Sequence, residues 1–174
     1  MSTTSTRPDP SEYTPFHAEY ISAVPDGDIL DILRANGNEL DALFASVAEE
    51  RGGYRYADGK WSIREIVGHI SDGERVLAYR ALRAARGDST PLEGYDAEAY
   101  VGPAGFDVRS LADLRAELRA VRESTRYFFA SLPNEAWDRV GVTEGRAISV
   151  RALAYVIVGH AIHHMRVLAD RYGV

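Results

Sequence analysis

Apolar residues recur at intervals of three and four along four long segments of the chain. That period fits one regular structure, the α-helix with a single buried face. The first segment runs from about Asp28 to Glu50, with Ile29, Ile32, Leu33, Leu40, Leu43, Phe44 and Val47 on its face and Gly52-Gly53 ending it. The second is "GKWSIREIVGHISDGERVLAYRALRAARG", in which Ser62 and Glu65 match a capping box and Gly87 supplies the stop. The third, "SLADLRAELRAVRESTRYFFASL", is capped near Ser110 and ended by Pro133. A short helical turn around Glu135–Trp137 and an irregular "GVTEGRAI" lead to the fourth, from about Ser149 to Tyr172. No stretch alternates convincingly as a strand. The expected fold is therefore all-α: a four-helix bundle with one long crossover connection, residues 88–109, between helices two and three. A connection of that length, holding Tyr95, Asp96 and Tyr100 among its glycines and prolines, is a candidate functional loop.

The 174 residues suffice for one self-contained core. Residues 1–25, punctuated by Pro8, Pro10, Pro15 and Pro25, are expected as a flexible polar N-terminal arm, and residues 26–174 as the helical domain. No run approaches the roughly 20 consecutive apolar residues of a spanning helix, and the start lacks the apolar core of a secretory signal. A cytoplasmic protein with no membrane partner is expected. A net charge of −6 without a basic stripe argues against nucleic acid. With no cysteine, any metal must be held by His, Asp or Glu.

Three of the five histidines fall in "GHAIHHMRVL", residues 159–168. Successive helical residues turn by about 100°. Val150, Ala154, Ile157, Ala161 and Leu168 then form one seam, His164 fills its gap, and His160 lies at its border. His163 turns away, toward solvent or another chain. Burying an unpaired imidazole costs free energy, so the two inward rings need partners. Histidines at i and i+4 bring two ring nitrogens within reach of one divalent cation; the alternative is a pair of core histidines satisfied by carbonyl or carboxylate oxygens. His69, beside Ile66 and Ile70 on helix two, is the candidate third ligand. Gly68, Gly73 and Gly159 stand close by. A glycine inside a helix costs about 1 kcal/mol relative to alanine, so a close approach of helices two and four is expected there.

Asp72, three residues after His69, is a candidate to orient an imidazole or to act as a general base, against the alternative of a surface acid paired with Arg75 or Arg80. Glu74 is turned further round and is expected to face solvent. Trp61 reads as a core anchor, and Tyr127, Phe128 and Phe129 in helix three read as packing, with Tyr127 alone a candidate to reach a pocket.

Together "GKWSIREIVGHISDGERVLAYR" and the distant "GHAIHHMRVL" resemble the DinB-like superfamily, also described as metal-dependent hydrolases. The resemblance spans about residues 28–172. It rests on W-[ST]-x-x-[EQ]-x-x-x-H at the start of helix two and H-x-x-H-H near the C-terminus. "GYDAEAY", residues 94–100, looks like the family's acidic-aromatic loop, with Tyr100 where Trp is common. The resemblance implies a bundle that binds one divalent metal ion, zinc or nickel foremost, through His69, His160 and His164. Three neutral imidazoles leave a coordination position open. Family members include transferases and isomerases that use low-molecular-weight thiols such as bacillithiol, mycothiol or glutathione. A thiol cosubstrate and S-transferase chemistry on a small-molecule substrate are therefore implied. Metal-dependent hydrolysis and a non-enzymatic, metal-binding stress role stay open as alternatives. A homodimer is also implied, with His163, Arg166 and helix three as candidate contacts.

Overall fold

The computed structural model describes Thr4 and residues 6–174. Residues 1–3 and 5, at the start of the expected arm, lie outside the described residues. Among the described residues six α-helices appear, in the order α1 (Ala18–Ala23), α2 (Ile29–Ser46), α3 (Ile63–Ala85), α4 (Ala97–Ala104), α5 (Leu111–Ala130) and α6 (Val150–Val167). Strands β1 (Val140–Thr143) and β2 (Arg146–Ser149) form an antiparallel hairpin ahead of α6. The long helices α2, α3, α5 and α6 make the bundle, as the apolar periodicity requires. Both α2 and α3 pack against α5 and α6, so these two consecutive helices stand across the bundle from each other.

Local chemistry places the helix ends. Ser62 accepts from the Glu65 amide while the Glu65 carboxylate accepts from the Ser62 amide, the reciprocal box expected from the sequence. Ser110 and Ser149 cap α5 and α6 through the amides of Asp113 and Ala152. Gly87, at φ +76°, follows the end of α3. Helix α6 continues through a π-helical turn at Leu168–Tyr172. The span Val150–Tyr172 is long and apolar enough to cross a membrane, but most of it is buried in the bundle.

Four departures from expectation matter for the site. First, α2 ends at Ser46, and residues 49–53 form a separate 3-10 turn. Second, the long connection holds α4 and a further 3-10 turn, Phe106–Val108. Asp96 caps α4 by accepting from the amides of Glu98 and Ala99. Third, "GVTEGRAI" is the β hairpin. Its two turn residues, Glu144 at φ +53° and Gly145 at φ +71°, give the left-handed pair that suits a two-residue hairpin loop. Leu92 donates to Val142 O and accepts from Glu144 N, so the hairpin is stitched to the α3–α4 connection. Fourth, residues 10–24 carry two 3-10 turns and α1, with Ile21 and Val24 in the core. α1 lies on α6. Glu12 accepts from the Ser149 hydroxyl at 2.6 Å, and Arg7 donates to the carbonyls of Ile21 and Val24.

Candidate metal centre

His69 on α3 and His160 and His164 on α6 meet between the two helices. The His160 Nε2 lies 3.0 Å from His69 Nε2 and 3.1 Å from His164 Nε2. Neighbouring ligands of a cation about 2.0–2.1 Å from each imidazole nitrogen stand roughly 3 Å apart. A neutral imidazole has one N–H and one lone pair. Hydrogen bonding therefore cannot make full use of three Nε2 atoms aimed at one point, whereas three lone pairs converging there suit a divalent ion. His69 and His164 are buried and His160 is half-buried. Burial, with smaller contributions from neighbouring histidines, pushes His69 down to about 4 and His160 to about 3. His164 is lowered by the same causes. At neutral pH all three rings are neutral, the protonation state a cation needs.

The surroundings fix these rings. The Trp61 ring lies 4.6 Å from that of His69 and stacks on His164 at 6.4 Å. Its backbone carbonyl accepts from the Tyr172 hydroxyl at 2.6 Å. Trp61, expected as a core anchor, thus also packs on the imidazoles and lines the cavity described below. The three glycines have separate reasons. A Cβ on Gly73 would stand 3.0 Å from His160 Cε1 and 3.4 Å from the Tyr95 hydroxyl, so this is the expected close approach of α3 and α6. Gly68 instead makes room for the Phe106 ring, and Gly159 for the backbone of Tyr20 in α1.

His163 is half-buried, with its ring edge-on to Tyr20 at 5.7 Å. The N-terminal segment therefore occupies the side that the sequence assigned to solvent or another chain. Tyr20 also meets the His160 ring, at 5.9 Å. The Asp72 carboxylate takes Arg75 as its partner at 3.1 Å and does not line the cavity. Glu74 corrects a sequence expectation. It is buried, 2% exposed, because α3 packs on α5 as well as on α6. Both of its carboxylate oxygens accept from Arg122 Nε at 2.9 Å. Arg122 also donates to Leu33 O and Asn36 Oδ1, and Asn36 Nδ2 reaches Met165 Sδ, so one polar chain ties all four bundle helices. Tyr127 is 66% exposed, with Arg126 over its ring, and lies outside the cavity that opens from the histidines.

A cavity of about 390 Å³ opens from the histidines. On α3, His69, Leu77 and Arg80 line it; on α6, Leu153, Val156, His160, His163 and His164 do. Tyr95 from the long connection, the hairpin turn and Thr14–Tyr20 close its sides. The sequence pointed to the connection. The contributions of the hairpin and the N-terminal segment depend on contacts across the fold that periodicity does not report.

Comparison with known structures places this architecture. YfiT from Bacillus subtilis, a probable metal-dependent hydrolase with an unusual four-helix bundle topology, superposes with a TM-score of 0.72 at 18% identity, covering 83% of this chain and 86% of its own. The mycothiol-dependent maleylpyruvate isomerase gives 0.66 at 15% identity, over 78% of this chain and 57% of the isomerase. The DinB-like protein YjoA from Bacillus subtilis gives 0.61 at 21% identity, over 82% of this chain and 87% of its own. No curated protein matches. Residues 32–168, most of the bundle, match the family description of the DinB superfamily, and the chain belongs to that superfamily.

Proposed function

We propose that the protein is a metal-dependent enzyme in which His69, His160 and His164 hold one divalent ion, zinc or nickel, and that it transfers or activates a low-molecular-weight thiol. The convergence of three Nε2 atoms at the end of a cavity carries this reading. A divalent ion held there supplies positive charge that favours the deprotonated form of an incoming thiol or water. The chain's own residues do the rest. Trp61 and Tyr20 fix the imidazole planes, and Leu77, Leu153 and Val156 give an apolar wall that takes substrate out of water. The Tyr95 hydroxyl, beside Gly73 and His160, is placed to donate a hydrogen bond to a group bound at the histidines.

Similarity to a mycothiol-dependent isomerase supports the thiol reading, and similarity to a probable metal-dependent hydrolase supports hydrolysis as the second. Elemental analysis of natively purified protein, followed by conjugation assays with a panel of thiols and electrophiles, separates them. Thiol-dependent turnover abolished by chelation is expected. Turnover of thioesters or amides with no thiol present would replace the transferase reading with the hydrolase.

A further inference from the structure

We propose that the end of the cavity remote from the histidines is a carboxylate-binding subsite formed by Arg80 and Arg146. The molecule handled at the histidines then carries a carboxylate separated from its reacting group by an apolar segment; only this last clause rests on the metal-dependent reading above. Arg80 follows His69 by eleven residues. That interval returns it to the same face of α3 about 16 Å further along the axis. Leu77, between them on α3, and Leu153 and Val156 opposite them on α6 are apolar, so the cavity is a greasy channel with imidazoles at one end and Arg80 at the other. Helical side chains lean toward the helix N-terminus, which turns Arg80 back along the channel.

The charge at this end is unbalanced. Many of the chain's arginines hold a carboxylate, as Arg75, Arg109, Arg115 and Arg122 do. Among the described residues neither Arg80 nor Arg146 forms an ion pair. Arg80 is half-buried, its guanidinium 5.7 Å from the Tyr95 ring centre, with one long bond of 3.4 Å to the Glu93 carbonyl. Arg146 stands at the cavity mouth on the exposed end of the hairpin. His17 lines the same end, and its neutral form is favoured by burial and by the charges of Arg80 and Arg146. Among the described residues that line the cavity the one acid is Glu144, whose carboxylate rests against Gly94. Two guanidiniums face one carboxylate, in a chain whose net charge is −6. A partly desolvated, unpaired guanidinium is a strong donor for a carboxylate.

Calorimetry with matched probes tests this on the full chain, as purified and after chelation. Hexanoate should bind about tenfold or more tightly than hexanamide in both preparations. Arg80→Gln and Arg146→Gln should each remove much of that preference, while Glu144→Gln should keep or strengthen it. Equal binding of acid and amide, or a preference untouched by both arginine substitutions, overturns the proposal. If Arg80→Gln does not fold, Arg146→Gln, at the exposed start of β2, decides alone. The preference should also survive in His160→Ala, so failure of the metal reading and failure of this one are separate results. In the metal-replete protein, 6-mercaptohexanoate is compared with hexanoate and with 6-mercaptohexanol. If the mercapto acid binds more tightly than both, the carboxylate belongs to the thiol partner. If it only equals hexanoate, the carboxylate belongs to the other substrate, and the subsite stands in either case.

Discussion

A methyl group on the α-carbon of Gly159 would stand 2.0 Å from the backbone carbonyl oxygen of Tyr20. The residue before the first histidine of α6 is thus the surface on which α1 rests, and α1 in turn places Tyr20 against His160 and His163.

Gly159→Ala should therefore destabilise the protein, although alanine is the better helix former by about 1 kcal/mol. The obstacle is backbone, which cannot rotate away, and overpacking of this kind costs roughly 1–3 kcal/mol. Denaturant unfolding should show the loss, and limited proteolysis should show earlier cleavage around Pro15–Val24. A variant as stable and as protease-resistant as the parent would contradict the contact.

Acid should destabilise the metal-free protein well before its carboxylates titrate. His69, His160 and His164 ionise near 6.5 in an unfolded chain and lower in the folded one. The unfolded state thus binds more protons below pH 6.5. Stability is complete above that value and is lost as pH falls toward the folded values, about 4 for His69 and about 3 for His160. Each histidine contributes a slope of up to about 1.4 kcal/mol per pH unit. Thermal midpoints of chelated protein should fall steeply between pH 6.5 and 5. Bound metal should delay the fall, because protons must then displace it. A flat profile across that window would show that the rings are not buried neutral.

What the sequence made legible was whatever depends on near neighbours. Ser62 with Glu65, Ser149 before α6, and His160 with His164 are spacings of three or four residues, and the helical repeat alone gives their geometry. His69 was reachable because it sits at the edge of an apolar face and matches a family motif. Glu74 was not. On an isolated α3 it points away from the histidines, and only α5, bringing Arg122 from 48 positions away, makes that side interior. The hairpin hid for a related reason. Its strands are four residues long, and its turn is Glu-Gly, without the Asn or Asp that usually announces such a loop. The polar segment 10–24 lacks a long apolar stripe, and it is held by Glu12–Ser149, Arg7 and two core residues.

The Glu74–Arg122 pair should behave as a buried charge pair does. Glu74→Leu, which leaves the buried guanidinium without its counter-charge, should cost about 3–5 kcal/mol. Glu74→Leu combined with Arg122→Met removes both charges and should recover much of that loss. Chemical denaturation of the two single variants and the double variant measures the coupling. Additive losses would mean that the two side chains stabilise the bundle independently.

The decisive experiment on the site separates adjacent histidines. His163 and His164 are neighbours in sequence and their rings lie 5.1 Å apart, yet only His164 directs a nitrogen toward His160. His163 instead meets Tyr20. His69→Ala, His160→Ala and His164→Ala should each lower zinc affinity by more than roughly 100-fold, since each removes a ligand rather than a group supporting one. His163→Ala should retain one metal per chain. Metal content after dialysis, with circular dichroism to establish that each variant is folded, reads the outcome directly. Full occupancy in His160→Ala would remove the shared apex of the cluster from the site. Loss of metal in His163→Ala alone would move the centre toward Tyr20.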